Sequence, residues 1–96
     1  MLMSVPSTPP PPVTYVVTIN SEEPNEYKTP ANASKYVAEN IFVGHWAAVE
    51  FKDAADIKQV RENFNARMET WLRQVGHTEG FWCLPTAIGA NYRLRE

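Results

Sequence analysis

Ile57, Val60, Phe64, Met68, Trp71 and Val75 recur at intervals of 3, 4, 4, 3 and 4 residues. On an α-helix that spacing gathers all six onto one face. Leu72 widens the stripe, while Lys58, Gln59, Glu62, Asn63, Glu69, Arg73 and Gln74 fill the opposite side. Asp53 is placed to cap the helix N-terminus, with Asp56 adding negative charge in the first turn, and Gly76 stops the helix. A helix with one apolar face must lay it on another apolar layer, so the rest of the chain has to supply one.

The flanking segments read as strands. Val13 to Ile19 is β-branched and aromatic, with Tyr15, Val17 and Ile19 on one face and Thr14, Val16 and Thr18 on the other. His45 to Phe51 places Ala47, Val49 and Phe51 on one face and Trp46, Ala48 and Glu50 on the other. Phe81 to Leu84 reads as a buried strand that takes Trp82 and Cys83 into the core and ends at Pro85. Gly89 marks a turn. Asn91 to Arg95 then alternates, with Tyr92 and Leu94 inward and Arg93 and Arg95 outward. Thr29-Pro30 predicts a second helix over residues 30–40: the threonine caps it, and the proline takes the first position, where a missing N–H is harmless. That helix would bury Ala33, Tyr36, Val37 and Ile41. Residues 20–29 read as a loop. The expected fold is α+β: one sheet of three to four strands packed against two helices, in the order β-α-β-α-β-β.

Five of the eight prolines fall within the first twelve residues, four of them consecutively as Pro9 to Pro12. Consecutive prolines lack donors and favour polyproline II, which excludes a helix or a central strand there. Residues 1–12 are therefore expected to form a Pro-rich arm, and residues 13–96 a single domain. The start of the chain has neither a basic n-region nor an apolar run, so a cytoplasmic protein is expected.

Catalysis would require a nucleophile or base with partners, and the candidates are few. Cys83 lies between Trp82 and Leu84 in an apolar run, where a thiol is normally inert. His45, His77 and Cys83 do not have the close spacing of metal ligands. No phosphate-binding loop, nucleophile elbow or H-E-x-x-H sequence occurs. Neither an enzyme nor a cofactor or metal is expected. A formal net charge of −2 excludes a generic polycation, but it conceals an asymmetry. Residues 1–56 carry seven acids and three bases (net −4), and residues 57–96 carry four acids and six bases (net +2).

Two binding surfaces are expected from these residues. Glu22, Glu23 and Glu26 form a small acidic patch beside Tyr27, and Trp46 is the tryptophan best placed for exposure because it shares its face with Glu50. Together they point to a non-catalytic module that binds a larger protein as a regulator, inhibitor or assembly factor. Small accessory proteins of phages and mobile elements are comparable in size and composition. Homo-oligomerisation through a sheet edge is a further expectation.

The alternative is RNA or single-stranded nucleic acid. Gly44-His45-Trp46-Ala47-Ala48-Val49-Glu50-Phe51, followed by Lys52-Asp53-Ala54-Ala55-Asp56, resembles the third strand and second-helix entry of an RNA recognition motif. The resemblance implies a sheet that stacks bases on Tyr15 and Trp46, with Arg93 and Arg95 as backbone contacts. It also implies an additional strand before Gly44, for which Ile41 to Val43 is available.

Overall fold

The computed structural model describes residues 12–77 and 80–95. Most of the Pro-rich arm, residues 1–11, lies outside them. Seven elements follow one another: β1 (Thr14–Ile19), β2 (Asn25–Tyr27), α1 (Pro30–Asn40), β3 (Trp46–Lys52), α2 (Ile57–Gln74), β4 (Phe81–Pro85) and β5 (Gly89–Leu94). The fold is α+β. All five strands form one antiparallel sheet in the spatial order β2-β1-β3-β5-β4. Among the described residues no helix is long and apolar enough to cross a membrane.

The expected order β-α-β-α-β-β lacked β2, and the expected three to four strands become five. Asn25-Glu26-Tyr27 has the composition of a loop. It is held as a strand by pairing with β1, with Tyr15 opposite Tyr27 and Val17 opposite Asn25. Ile41 to Val43 forms no strand; Ile41 caps α1, and the chain turns through Gly44, at φ 87°, directly into β3. The extra strand implied by the RNA recognition motif is therefore missing at this place, and β3 pairs beside β1.

The helices begin where side chains satisfy their first free N–H groups. Thr29 Oγ1 accepts from the Asn32 N–H at 3.2 Å, and Pro30 opens the first turn of α1. The cap of α2 is Asp56, whose Oδ1 accepts from the Gln59 N–H at 3.1 Å. The expected cap, Asp53, instead turns the chain out of β3 at φ 63°, a left-handed conformation that aspartate tolerates better than most residues.

Both helices pack on one face of the sheet. Alternation on the strands drives the core: Tyr15, Val17 and Ile19 of β1, Ala47, Val49 and Phe51 of β3, and Ala90, Tyr92 and Leu94 of β5 are all buried. Phe64, Met68 and Leu72 of α2 and Ala33, Val37 and Ala38 of α1 close over them. Phe64 stands at the centre, with its ring 6.0 Å from Tyr15, 5.5 Å from Phe51 and 5.5 Å from Tyr92. Of the α2 stripe, Ile57, Val60 and Trp71 are partly buried and pack on this core, while Val75 is exposed past the last turn.

Gly89 belongs to β5 and not only to the turn before it. Thr86 and Gly89 close that turn: the Thr86 N–H donates to the Gly89 carbonyl at 3.0 Å, and the Gly89 N–H donates to Thr86 Oγ1 at 2.9 Å. Arg61 Nη1 of α2 also donates to the Gly89 carbonyl at 3.2 Å, tying the helix to this corner of the sheet.

Candidate functional site

The helices cover one face of the sheet, and among the described residues nothing covers the other. Strand register sets what the open face displays. Trp46 of β3 pairs with Arg93 of β5, and Arg93 pairs with Trp82 of β4, so the three side chains form one row across three strands. The Arg93 guanidinium carbon lies 5.4 Å from the centre of the Trp46 ring, within cation–π range. The next row is Thr18, Ala48, Asn91 and Leu84, and beyond it lie Glu26, Val16, Glu50 and Gly89. Val16, Thr18, Ala48 and Asn91, rimmed by Thr86 and Ile88 of the β4–β5 turn, line a shallow groove of about 300 Å³.

Large apolar side chains stand exposed on this face among the described residues. Trp82 is 52% exposed, Leu84 50% and Ile88 57%. The segment leading into β3 adds exposed Phe42 and Val43 at the end of the sheet where Trp46 begins its strand. Scattered exposed apolar residues are ordinary, but a contiguous group beside tryptophan and arginine resembles the core of an interaction surface.

Trp82 corrects an expectation. Phe81-Trp82-Cys83-Leu84 is apolar at every position, so its sequence does not say which alternate pair faces inward. Pairing with β5 decides it: Phe81 opposes Leu94 and Cys83 opposes Tyr92, both core residues, and this sends Trp82 and Leu84 outward. Trp46 is half-buried beneath the arginine.

The residues expected at a protein-binding surface divide between faces. Glu22 and Glu23 lie in the β1–β2 turn, whose first residue, Asn20, donates its N–H to the Trp46 carbonyl. The acidic turn thus sits at the Trp46 end of the sheet. Glu26 is exposed opposite Val16 on the open face. Tyr27 lies on the helix side, 5.3 Å from the Tyr36 ring of α1. Of the residues expected at a nucleic-acid surface, Trp46 and Arg93 share the open face, and Arg95 follows β5 at the same end. Tyr15 does not join them: it is 6% exposed, packed between Phe51 and Phe64 beneath the helices, where no base can reach its ring face.

Among the described residues no group of three or more His, Cys, Asp and Glu side chains is arranged to hold a metal. His45 packs edge-on against Phe42, with ring centres 5.6 Å apart. Cys83 is partly buried beside Tyr92, and with His77, Asn65, Glu69 and Arg73 it lines a cleft of about 340 Å³ between α2 and β4. Burial, reinforced by the adjacent Cys83 thiol, pushes the Tyr92 phenol far above its ordinary pKa.

No family model matches this chain, nor does any curated protein or solved structure.

Proposed function

We propose that this chain is a non-catalytic binding module that docks a larger protein on the open face of its sheet. One observation carries the reading: the row Trp46–Arg93–Trp82, continued by Leu84 and Ile88, concentrates on one uncovered face the residue types that dominate protein interfaces. The partner surface it suits has apolar side chains for the groove between Val16, Ala48 and Ile88, and a carboxylate for Arg95 at the corner beside Trp82. Glu22 and Glu23 at the same end would repel a partner whose acidic charge spread past that corner, which sets orientation. A regulator, inhibitor or assembly factor is the corresponding role.

Single-stranded nucleic acid is the second reading, and the same row favours it, because two indoles flanking a guanidinium form a stacking platform. Affinity capture from native lysate, run in parallel with Trp82→Ala and with Glu39→Ala on the far helix, separates the two. A protein recovered in stoichiometric amount with wild type and Glu39→Ala but lost with Trp82→Ala supports the proposal. Recovery unaffected by Trp82→Ala refutes it. Saturable binding of a single-stranded oligonucleotide that weakens steeply with salt and with Trp82→Ala would transfer the face to nucleic acid.

A further inference from the structure

A second cleft lies on the opposite side of the sheet, in the helix layer. A cleft of about 510 Å³ opens between the start of α1 and the outer side of α2, within the size range of small-ligand pockets. Val60 and Trp71 supply an apolar wall. Tyr15, Asn63, Arg67 and Thr70 bring polar groups to the same space.

Among the described residues, Tyr15, Arg67 and Asn63 each bring a donor to this cleft. Tyr15 is 6% exposed, yet among the described residues its hydroxyl has no hydrogen-bond partner, although it lines the cleft. The ring is buried while the hydroxyl opens onto the cleft, where it can hydrogen-bond a bound group. Arg67 has no carboxylate partner among the described residues. Arg67 lines the same cleft as Tyr15, and its charge partly opposes the upward shift that burial gives the Tyr15 phenol. Asn63 has its carbonyl oxygen occupied by Gln59 Nε2 at 3.2 Å, which leaves its amide N–H groups to donate. Thr70 spends its hydroxyl proton on the Ala66 carbonyl at 3.2 Å.

Three sets of donors facing one apolar wall require an acceptor with a hydrocarbon body. The charge count narrows it further. One guanidinium with no carboxylate partner among the described residues balances a monoanion, whereas a phosphate monoester would bring nearly two negative charges. Lys35 does not supply the second cation, since it lies 5.4 Å over the Trp71 ring and pairs with Glu39 at 4.0 Å. We infer that the cleft between α1 and α2 binds a small carboxylate with an apolar body, its carboxylate on Arg67 and the Tyr15 hydroxyl and its body against Val60 and Trp71.

The test uses 1-naphthoate as probe and 1-naphthalenemethanol as its neutral counterpart, titrated into labelled protein and followed by amide and indole NMR shifts. Saturable shifts of the Trp71 indole and the Arg67 and Thr70 amides with naphthoate support the site. Arg67→Gln, at an exposed position, is expected to lower affinity at least about tenfold, the worth of a charge-assisted hydrogen bond. Tyr15→Phe keeps the ring and is expected to lower it about threefold. No saturation up to about 10 mM naphthoate, equal binding of the alcohol, or undiminished affinity in Arg67→Gln would each overturn the inference. Trp82→Ala on the open face is expected to leave naphthoate binding unchanged, so the two sites succeed or fail independently.

Discussion

Gly89→Ala is expected to be the most damaging single-methyl change in this protein. Gly89 pairs with Glu50 of the central strand, β3. A Cβ built there would run into the Val49 carbonyl oxygen and lie 2.9 Å from Glu50 Cα and 2.9 Å from the Val49 carbonyl carbon. All three are backbone atoms, so no side-chain rotation relieves the clash. Relief requires β3 and β5 to separate, which weakens the Gly89 contacts to Thr86 and to Arg61. Overpacking of this kind reaches about 3 kcal/mol when the neighbours cannot yield. In a domain of this size each kcal/mol lowers the melting temperature by about 4–8 °C, so a loss of about 12–24 °C is expected. The control is Gly76→Ala. Gly76 has φ +93° but nothing within 4 Å of a Cβ, so its cost is conformational only, about 1 kcal/mol. Thermal melts followed by circular dichroism, with urea unfolding followed by tryptophan fluorescence, compare the two. If Gly89→Ala melts within about 4 °C of wild type, or no lower than Gly76→Ala, steric exclusion by the Val49 carbonyl is refuted.

Two further outcomes test the core. Phe64→Ala empties the middle of the ring cluster with Tyr15, Phe51 and Tyr92 and is expected to cost about 3–5 kcal/mol, read as a lower urea midpoint; a loss under about 1 kcal/mol would mean that the helix does not close the core through this ring. Tyr92 has a folded-state pKa raised above its unfolded value, so its contribution to stability is complete below about pH 10 and declines above it, as the unfolded chain ionises first. Unfolding free energies measured from pH 9 to 11 are expected to fall faster with pH in wild type than in Tyr92→Phe, and parallel curves would contradict the burial of this phenol.

Much of this architecture is legible locally. The 3-4-4-3 spacing on α2 names Phe64 and Met68 as buried, and Thr29-Pro30 names the start of α1, because helical period and cap chemistry depend on neighbours within a turn. Alternation likewise names Tyr15, Val17, Ala47, Val49, Phe51, Tyr92 and Leu94 as core. Where two local answers were equally good, the sequence chose wrongly. Asp53 and Asp56 are both adequate caps, and the turn out of β3 claimed the first.

The candidate site is the part that the sequence alone left undecided. Trp46 was the tryptophan best placed for exposure because Glu50 marks the polar side of its strand. Trp82 could not be placed, because Phe81 to Leu84 is apolar throughout and either phase buries two large side chains. Nor does Asn25 to Tyr27 have the propensity of a strand; β1 recruits it by offering a free edge. Helix periods, caps and strand faces come from interactions between near neighbours, so the chain carries them in its order. The row Trp46–Arg93–Trp82, and the cleft that joins Tyr15 to Arg67, bring together residues from distant segments. Their placement depends on the register between strands and the seating of helices on the sheet, which only the assembled core determines.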